Sequence, residues 1–100
     1  MSNPFDFMNN MGMWQSKLQQ MQDEVKNTRA TGEAGAGMVK VTVNGLGNVF
    51  DVKIDPALMT PDNTHTLEVL FASASNAAIQ SVQDTLKQKN MDLISRMGQQ

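Results

Sequence analysis

The chain has 100 residues, the length of one domain, and its formal net charge is −2 at neutral pH. It contains no cysteine, which excludes disulfides, thiol catalysis and cysteine-ligated metals. A nucleic-acid binder usually has a basic excess, but phosphate is bound by a local patch rather than by the average charge, so this balance does not exclude DNA.

The N-terminal sequence Met1-Ser2-Asn3-Pro4 has neither the basic segment nor the apolar core of a signal peptide. No apolar run approaches the roughly 20 residues that a transmembrane helix needs. We therefore expect a soluble, cytoplasmic protein without a membrane partner.

A long first helix is predicted for about residues 4–28. Asn3 suits the capping position and Pro4 the first helical position. Apolar residues then recur three and four positions apart, which is the heptad stripe of a coiled-coil-like packing. The stripe consists of Phe7, Met11, Trp14, Leu18, Met21 and Val25. Such a helix is longer than a small domain needs to cover its own core.

Two alternating segments predict strands at about 38–44 and 49–54. The first carries Val39, Val41 and Val43 on one face, and the second carries its own row of apolar residues, followed by Asp55-Pro56. The linking sequence is rich in glycine and asparagine, which is typical of a hairpin.

A second long helix is predicted for about residues 61–95, and small residues form its middle, from Ala72 to Ala78.

One small sheet offers too little surface to cover both helical stripes, which favours a homodimer; the alternative is a monomer whose helices pack on each other. The residues expected in the core or the dimer interface are Val39, Val41, Val43, Phe50, Val52, Ile54, Leu70, Ala74 and Ala77.

The glycines Gly32, Gly35 and Gly37 precede a strand. A phosphate-binding loop needs the reverse order, with glycines between a strand and the N-terminus of a helix. We therefore interpret these glycines as residues that let the backbone bend where it enters the strand, and not as phosphate ligands. His65 is the only histidine and there is no cysteine, whereas a zinc site needs three or four suitably spaced ligands, so we interpret His65 as a surface residue. We predict no catalytic residues, no metal and no cofactor, and hence no enzyme.

The candidate DNA-binding residues are Lys17, Lys26, Arg29, Lys87, Lys89 and Arg96. The simpler interpretation is that they are solvated and form ion pairs within their helices, as Asp23–Lys26, Asp84–Lys87 and Asp92–Arg96. A dimer would double each basic patch, which favours the binding interpretation.

Three segments carry a family resemblance: "TGEAGAGMVKVTVNG" from Thr31, "VKIDPAL" from Val52 and "LFASASNAAIQSVQ" from Leu70. Together with the helices around them, they resemble the YbaB/EbfC family of bacterial nucleoid-associated proteins. One departure is that Gln80, Gln83 and Gln88 stand where the family often has more basic residues.

The resemblance implies an α+β fold, in which an α-β-β-β-α protomer has a small antiparallel sheet flanked by two long helices. It makes residues 29–33 a first strand. It further implies a tweezer-like homodimer that binds double-stranded DNA and changes its shape, with roles in nucleoid organisation and gene regulation. DNA contacts are then expected on the projecting helices, and no small-molecule substrate is expected.

A second hypothesis is a protein–protein adaptor that uses the exposed helical faces and does not bind DNA directly. The polar, uncharged helix faces and the methionines motivate it. A small-molecule enzyme is a third and weaker hypothesis.

Overall fold

A computed structural model describes the backbone of residues 4–97 and the side chains of residues 10–96. The elements in chain order are α1 (Pro4–Asn27), β1 (Arg29–Ala34), β2 (Val39–Asn44), β3 (Val49–Ile54), 3-10 turns at Pro56–Leu58 and Pro61–Asn63, and α2 (Thr64–Met97). The predicted α-β-β-β-α topology is confirmed. The predicted cap at Asn3 lies outside the described residues, and so does the side chain of Phe7.

The three strands form one antiparallel sheet in the order β1-β2-β3. Val41 of β2 lies opposite Gly32 of β1 and Val52 of β3, so these three residues share one face of the sheet. The register of β3 shifts at Phe50, where one extra residue forms a β-bulge.

The core lies between α2 and one face of β1 and β2. Val39, Val41 and Val43 are at most 1% exposed there, and Ala74 and Ala78 of α2 are fully buried against them. Val82 and Leu58 complete the buried cluster. Because these helix residues are small, α2 lies very close to the sheet.

Gly32 marks the closest approach of α2 to β1. A Cβ atom at this position would overlap the carbonyl oxygen of Ala74 and the amide nitrogen of Ala78. The turn between β1 and β2 also needs glycine, because φ is 62° at Gly35 and 86° at Gly37. The glycines therefore allow a strand to pack on a helix and then to reverse.

Two helical segments extend away from this core. Every described side chain of α1 from Asn10 to Glu24 is exposed, and so is every side chain of α2 from Lys87 to Arg96. We call these segments the α1 arm and the α2 arm. They account for the elongated shape of the protomer, which measures 72 × 25 × 15 Å.

Candidate nucleic-acid interface

The α1 arm is fastened to the sheet at its C-terminal end. The amide of Gly45 donates to the carbonyl oxygens of Val25 and Thr28, at 3.0 and 3.1 Å. The side-chain amide of Asn44 donates to the carbonyl oxygen of Lys26 at 2.9 Å. The last carbonyls of a helix have no partner within the helix, so the end of β2 caps α1. We call this contact the α1 junction.

Asn44 joins the α1 junction to the following hairpin. Its side chain is fully buried, and its Oδ1 accepts from the amides of Leu46 and Asn48, both at 3.0 Å. Gly45 must be a glycine for close approach, because a Cβ atom there would overlap the carbonyl oxygen of Val25. One asparagine thereby holds both the helix end and the turn.

A charged contact links the two arms at their base. The Nζ of Lys89 lies 2.9 Å from Oε1 of Glu24 and donates to the Oγ1 of Thr28 at 3.0 Å. The same hydroxyl donates to the carbonyl oxygen of Glu24 at 2.6 Å. Thr28, which directly follows α1, is only 7% exposed, so the ammonium group of Lys89 is bound to a buried residue at the end of α1.

A shallow cavity of about 370 Å³ lies between the arms beside this contact. Its lining consists of Gln20, Asp23, Glu24, Asn27, Thr28 and Lys89. The lining is polar and contains two carboxylates and one ammonium group, so it offers no apolar pocket for a small molecule.

Two further cations lie on the arms beyond the Glu24–Lys89 pair. Lys17 precedes Glu24 by seven residues, and Arg96 follows Lys89 by seven. Seven residues are nearly two helical turns, so each cation lies on about the same face as its paired neighbour and roughly 10 Å further out. Lys17 and Arg96 therefore lie on either side of the space between the arms, further out than the shallow cavity.

Lys87 and Lys26 occupy other positions. Lys87 precedes Lys89 by two residues, which places it roughly 160° away around α2, on the side that faces away from α1. Lys26 is exposed in the last turn of α1, where its backbone carbonyl belongs to the α1 junction. The cations of the two helices thus point in several directions.

Arg29 lies on the sheet rather than on an arm. Its guanidinium carbon is 3.8 Å from the centre of the Phe50 ring, a favourable cation–π geometry. The bulge in β3 thus provides the aromatic partner for a cation on β1.

The three predicted intrahelical ion pairs are wrong. Salt bridges among the described side chains include none of Lys26, Lys87 and Arg96. Each aspartate instead accepts from the glutamine four residues before it, as Gln19–Asp23 (3.1 Å), Gln80–Asp84 (2.9 Å) and Gln88–Asp92 (3.2 Å). The glutamine amides satisfy the carboxylates and leave the three cations exposed to solvent.

An apolar surface remains open along β3. Val49 and Val52 lie opposite Val43 and Val41 and share their face, yet they are 55% and 38% exposed because α2 covers only β1 and β2. Phe71 and Ile79 are also exposed. They lie roughly 120° and 160° around α2 from Ala77, whose backbone approaches Gly32 of β1, and so on the flank of α2 away from β1. We call these four residues the apolar groove.

The predicted packing residues fall into two groups. Val39, Val41, Val43 and Ala74 are buried, and Ile54 and Leu70 pack against them. The other three, Phe50, Val52 and Ala77, are exposed in the protomer. Ala78 rather than Ala77 faces the sheet at this level of α2.

The surroundings of His65 do not suggest a catalytic or metal site. Its exposed ring lies 3.8 Å from Glu68 in the first turn of α2. Within residues 10–96 no three histidine or carboxylate side chains come together as metal ligands would. In the same part of the chain, neither helix has the length and apolar character needed to cross a membrane.

Comparison with known proteins agrees with this geometry. The YbaB/EbfC DNA-binding family matches residues 1–97. A nucleoid-associated protein of Bartonella bacilliformis is 39% identical over 79 residues, which cover 79% of this chain and 73% of the relative. The crystal structure of an uncharacterized protein from Helicobacter pylori has the same fold, with a TM-score of 0.70 at 23% identity over 94% of this chain and 99% of the other. The chain belongs to the YbaB/EbfC DNA-binding family.

Proposed function

We propose that the protein binds double-stranded DNA as a homodimer and changes its shape, and that it acts in nucleoid organisation and gene regulation in the cytoplasm. The observation that carries the proposal is the set of exposed cations on the two helices that form no ion pair among the described residues. These cations are Lys17, Lys26, Lys87 and Arg96. Membership of a DNA-binding family supports the same conclusion.

The arms suit contacts to the DNA backbone. They extend beyond the core and their cations are exposed, so phosphate groups of a duplex can reach them. Exposed amides such as Gln15 and Gln22 can donate to phosphate oxygens without adding charge. Phosphate contacts carry no sequence information in themselves. We therefore expect binding with little sequence preference.

The dimer is supported by the apolar groove. Val49 and Val52 continue the buried valine rows of β2 onto an uncovered edge, and an apolar surface next to an edge strand is a favourable site for a second chain. A symmetric dimer would present four arms and twice the number of cations. The dimer also doubles the net charge of −2, so the attraction to phosphate comes from the local cations of the helices and not from the overall charge.

The experiment is a fluorescence anisotropy titration of a labelled duplex at 50 and 200 mM salt, with the mass of the free protein measured by sedimentation. If the dimer makes six phosphate contacts, we expect the affinity to fall about a thousandfold between the two salt concentrations. Several duplexes of unrelated sequence should bind with similar affinity. A complete lack of binding at 50 mM salt would contradict the proposal.

A further inference from the structure

We infer that Lys89 is a positioning residue, which fixes the direction of the α1 arm relative to the α2 arm instead of contacting DNA. This inference rests on the proposed function, because it assigns different roles to the basic residues of the arms. It also makes a statement about the free protein, which can be tested without DNA.

The ammonium group of Lys89 already has two partners, one on α1 and one directly after its end. It lies 2.9 Å from a carboxylate oxygen of Glu24 and donates to the hydroxyl of Thr28 at 3.0 Å. An ammonium group has three donors, so two of the three are used. A phosphate group would have to compete with a carboxylate for the same charge.

The contact of Lys89 lies at the base of the α1 arm. Among the described side chains, hydrogen bonds and ion pairs join α1 to α2 at Lys89 alone. The α1 junction holds the helix end through Asn44 and Gly45, but a cap at one end leaves the helix free to swing. A second attachment, through the side chain of Glu24 next to the capped carbonyls of Val25 and Lys26, restricts that motion.

Two cations lie further out on the arms, beyond the contact of Lys89. Lys17 and Arg96 occupy the same faces as Glu24 and Lys89, roughly 10 Å further from the base. A change of angle at the base therefore moves these two cations relative to each other. The Glu24–Lys89 pair thereby sets their spacing, although it does not have to touch the ligand.

Lys87 is the matched comparison. It belongs to the same helix and is exposed on its other side, and no ion pair of the described residues includes it. A phosphate contact and a positioning residue two positions apart on one helix should respond differently to the same substitution.

The test measures the distance between the arms in the DNA-free protein. Because the chain has no cysteine, spin labels can be placed at S16C and S95C, both exposed sites on the arms. Diluting labelled with unlabelled protein leaves at most one labelled protomer in a dimer. Pulsed electron resonance then gives the distribution of distances for wild type, K89Q, E24Q, K87Q and the charge exchange E24K/K89E.

We expect K89Q and E24Q to broaden or shift the distance distribution, K87Q to leave it unchanged, and the charge exchange to restore it. For DNA, K89Q should weaken binding about fivefold or less, as expected for a half-exposed ion pair, with an unchanged slope of log affinity against log salt. Circular dichroism would check that each variant is folded.

Two results would overturn the inference. One is a distance distribution of K89Q that equals that of wild type. The other is a salt slope that falls in K89Q as it does in K87Q, which would make Lys89 a phosphate contact. If the wild type does not bind DNA, the proposed function fails, whereas the distances still decide the role of Lys89.

Discussion

The side-chain amide of Asn44 donates to the backbone carbonyl of Lys26 at 2.9 Å, although the two residues are 18 positions apart in the chain. This bond connects the end of a projecting helix to the central strand of the sheet. The Oδ1 of the same side chain accepts hydrogen bonds from the backbone amides of Leu46 and Asn48 and so fixes the turn that follows β2. Asn44 is therefore the residue on which the attachment of the α1 arm depends most.

We predict that N44A lowers the free energy of unfolding by about 2–4 kcal/mol. The substitution removes three hydrogen bonds at a fully buried position and leaves their backbone partners unsatisfied. Urea unfolding at a fixed protein concentration measures the change, since a dimer makes stability depend on concentration. N48A is the control, because Asn48 is exposed and takes part through its backbone; a similar loss in both variants would contradict the role of the Asn44 side chain.

A pair of glycine substitutions should have opposite effects. G32A places a methyl group against the backbone of α2 at Ala74 and Ala78, so we expect a loss of at least about 3 kcal/mol or failure to fold. G12A lies in α1, where no described atom beyond the chain neighbours and the surrounding helix backbone is within 4 Å of the new Cβ, and it should stabilise that helix by about 0.5–1 kcal/mol. Thermal unfolding followed by circular dichroism distinguishes the two, and equal effects would show that close packing at Gly32 is not decisive.

Whether the apolar groove is the dimer interface can be tested by introducing a glutamate on one or the other face of β3. V52E introduces a carboxylate into the groove, and we expect the protein to sediment as a folded monomer at micromolar concentration. K53E lies on the opposite face of the same strand, paired with Lys40, and should leave the mass unchanged. A V52E protein that remains dimeric would place the interface elsewhere.

The cations on the arms should account for the salt dependence of DNA binding. We predict that K17A and R96A each lower the slope of log affinity against log salt by about one for each phosphate that the side chain neutralises, and weaken binding similarly on unrelated duplexes. K53A, on the sheet, is the control and should bind like wild type. Anisotropy titrations at four salt concentrations give the slopes, and slopes that stay at the wild-type value would remove both residues from the interface.

The sequence predicted the strands β2 and β3 from their apolar alternation, because each carries large β-branched residues on one face. It did not reveal β1 in the same way, and only the family resemblance indicated that strand. The structure supplies the reason: β1 also alternates, but its inward residues are Ala30, Gly32 and Ala34. These residues are small because α2 lies directly on them, so a hydrophobicity pattern cannot detect the strand.

The contacts at the base of the arms were beyond the reach of sequence patterns. Asn44-Gly45 predicts a turn, and nothing local shows that the same asparagine caps a helix 18 residues earlier. Lys89 and Thr28 are 61 residues apart. The predicted intrahelical ion pairs failed for a local reason, since glutamines at a spacing of four compete for the aspartates, and an exposed ion pair contributes too little to prevail.

The exposure of the α1 arm from Asn10 to Glu24 has a consequence for how such a chain can evolve. None of these side chains is buried in the protomer, so most substitutions there leave the stability of the core unaffected. Selection on this segment therefore acts through whatever the arm touches outside the protomer. Mutations can accordingly change what the arm recognises while the core between β2 and α2 keeps its sequence.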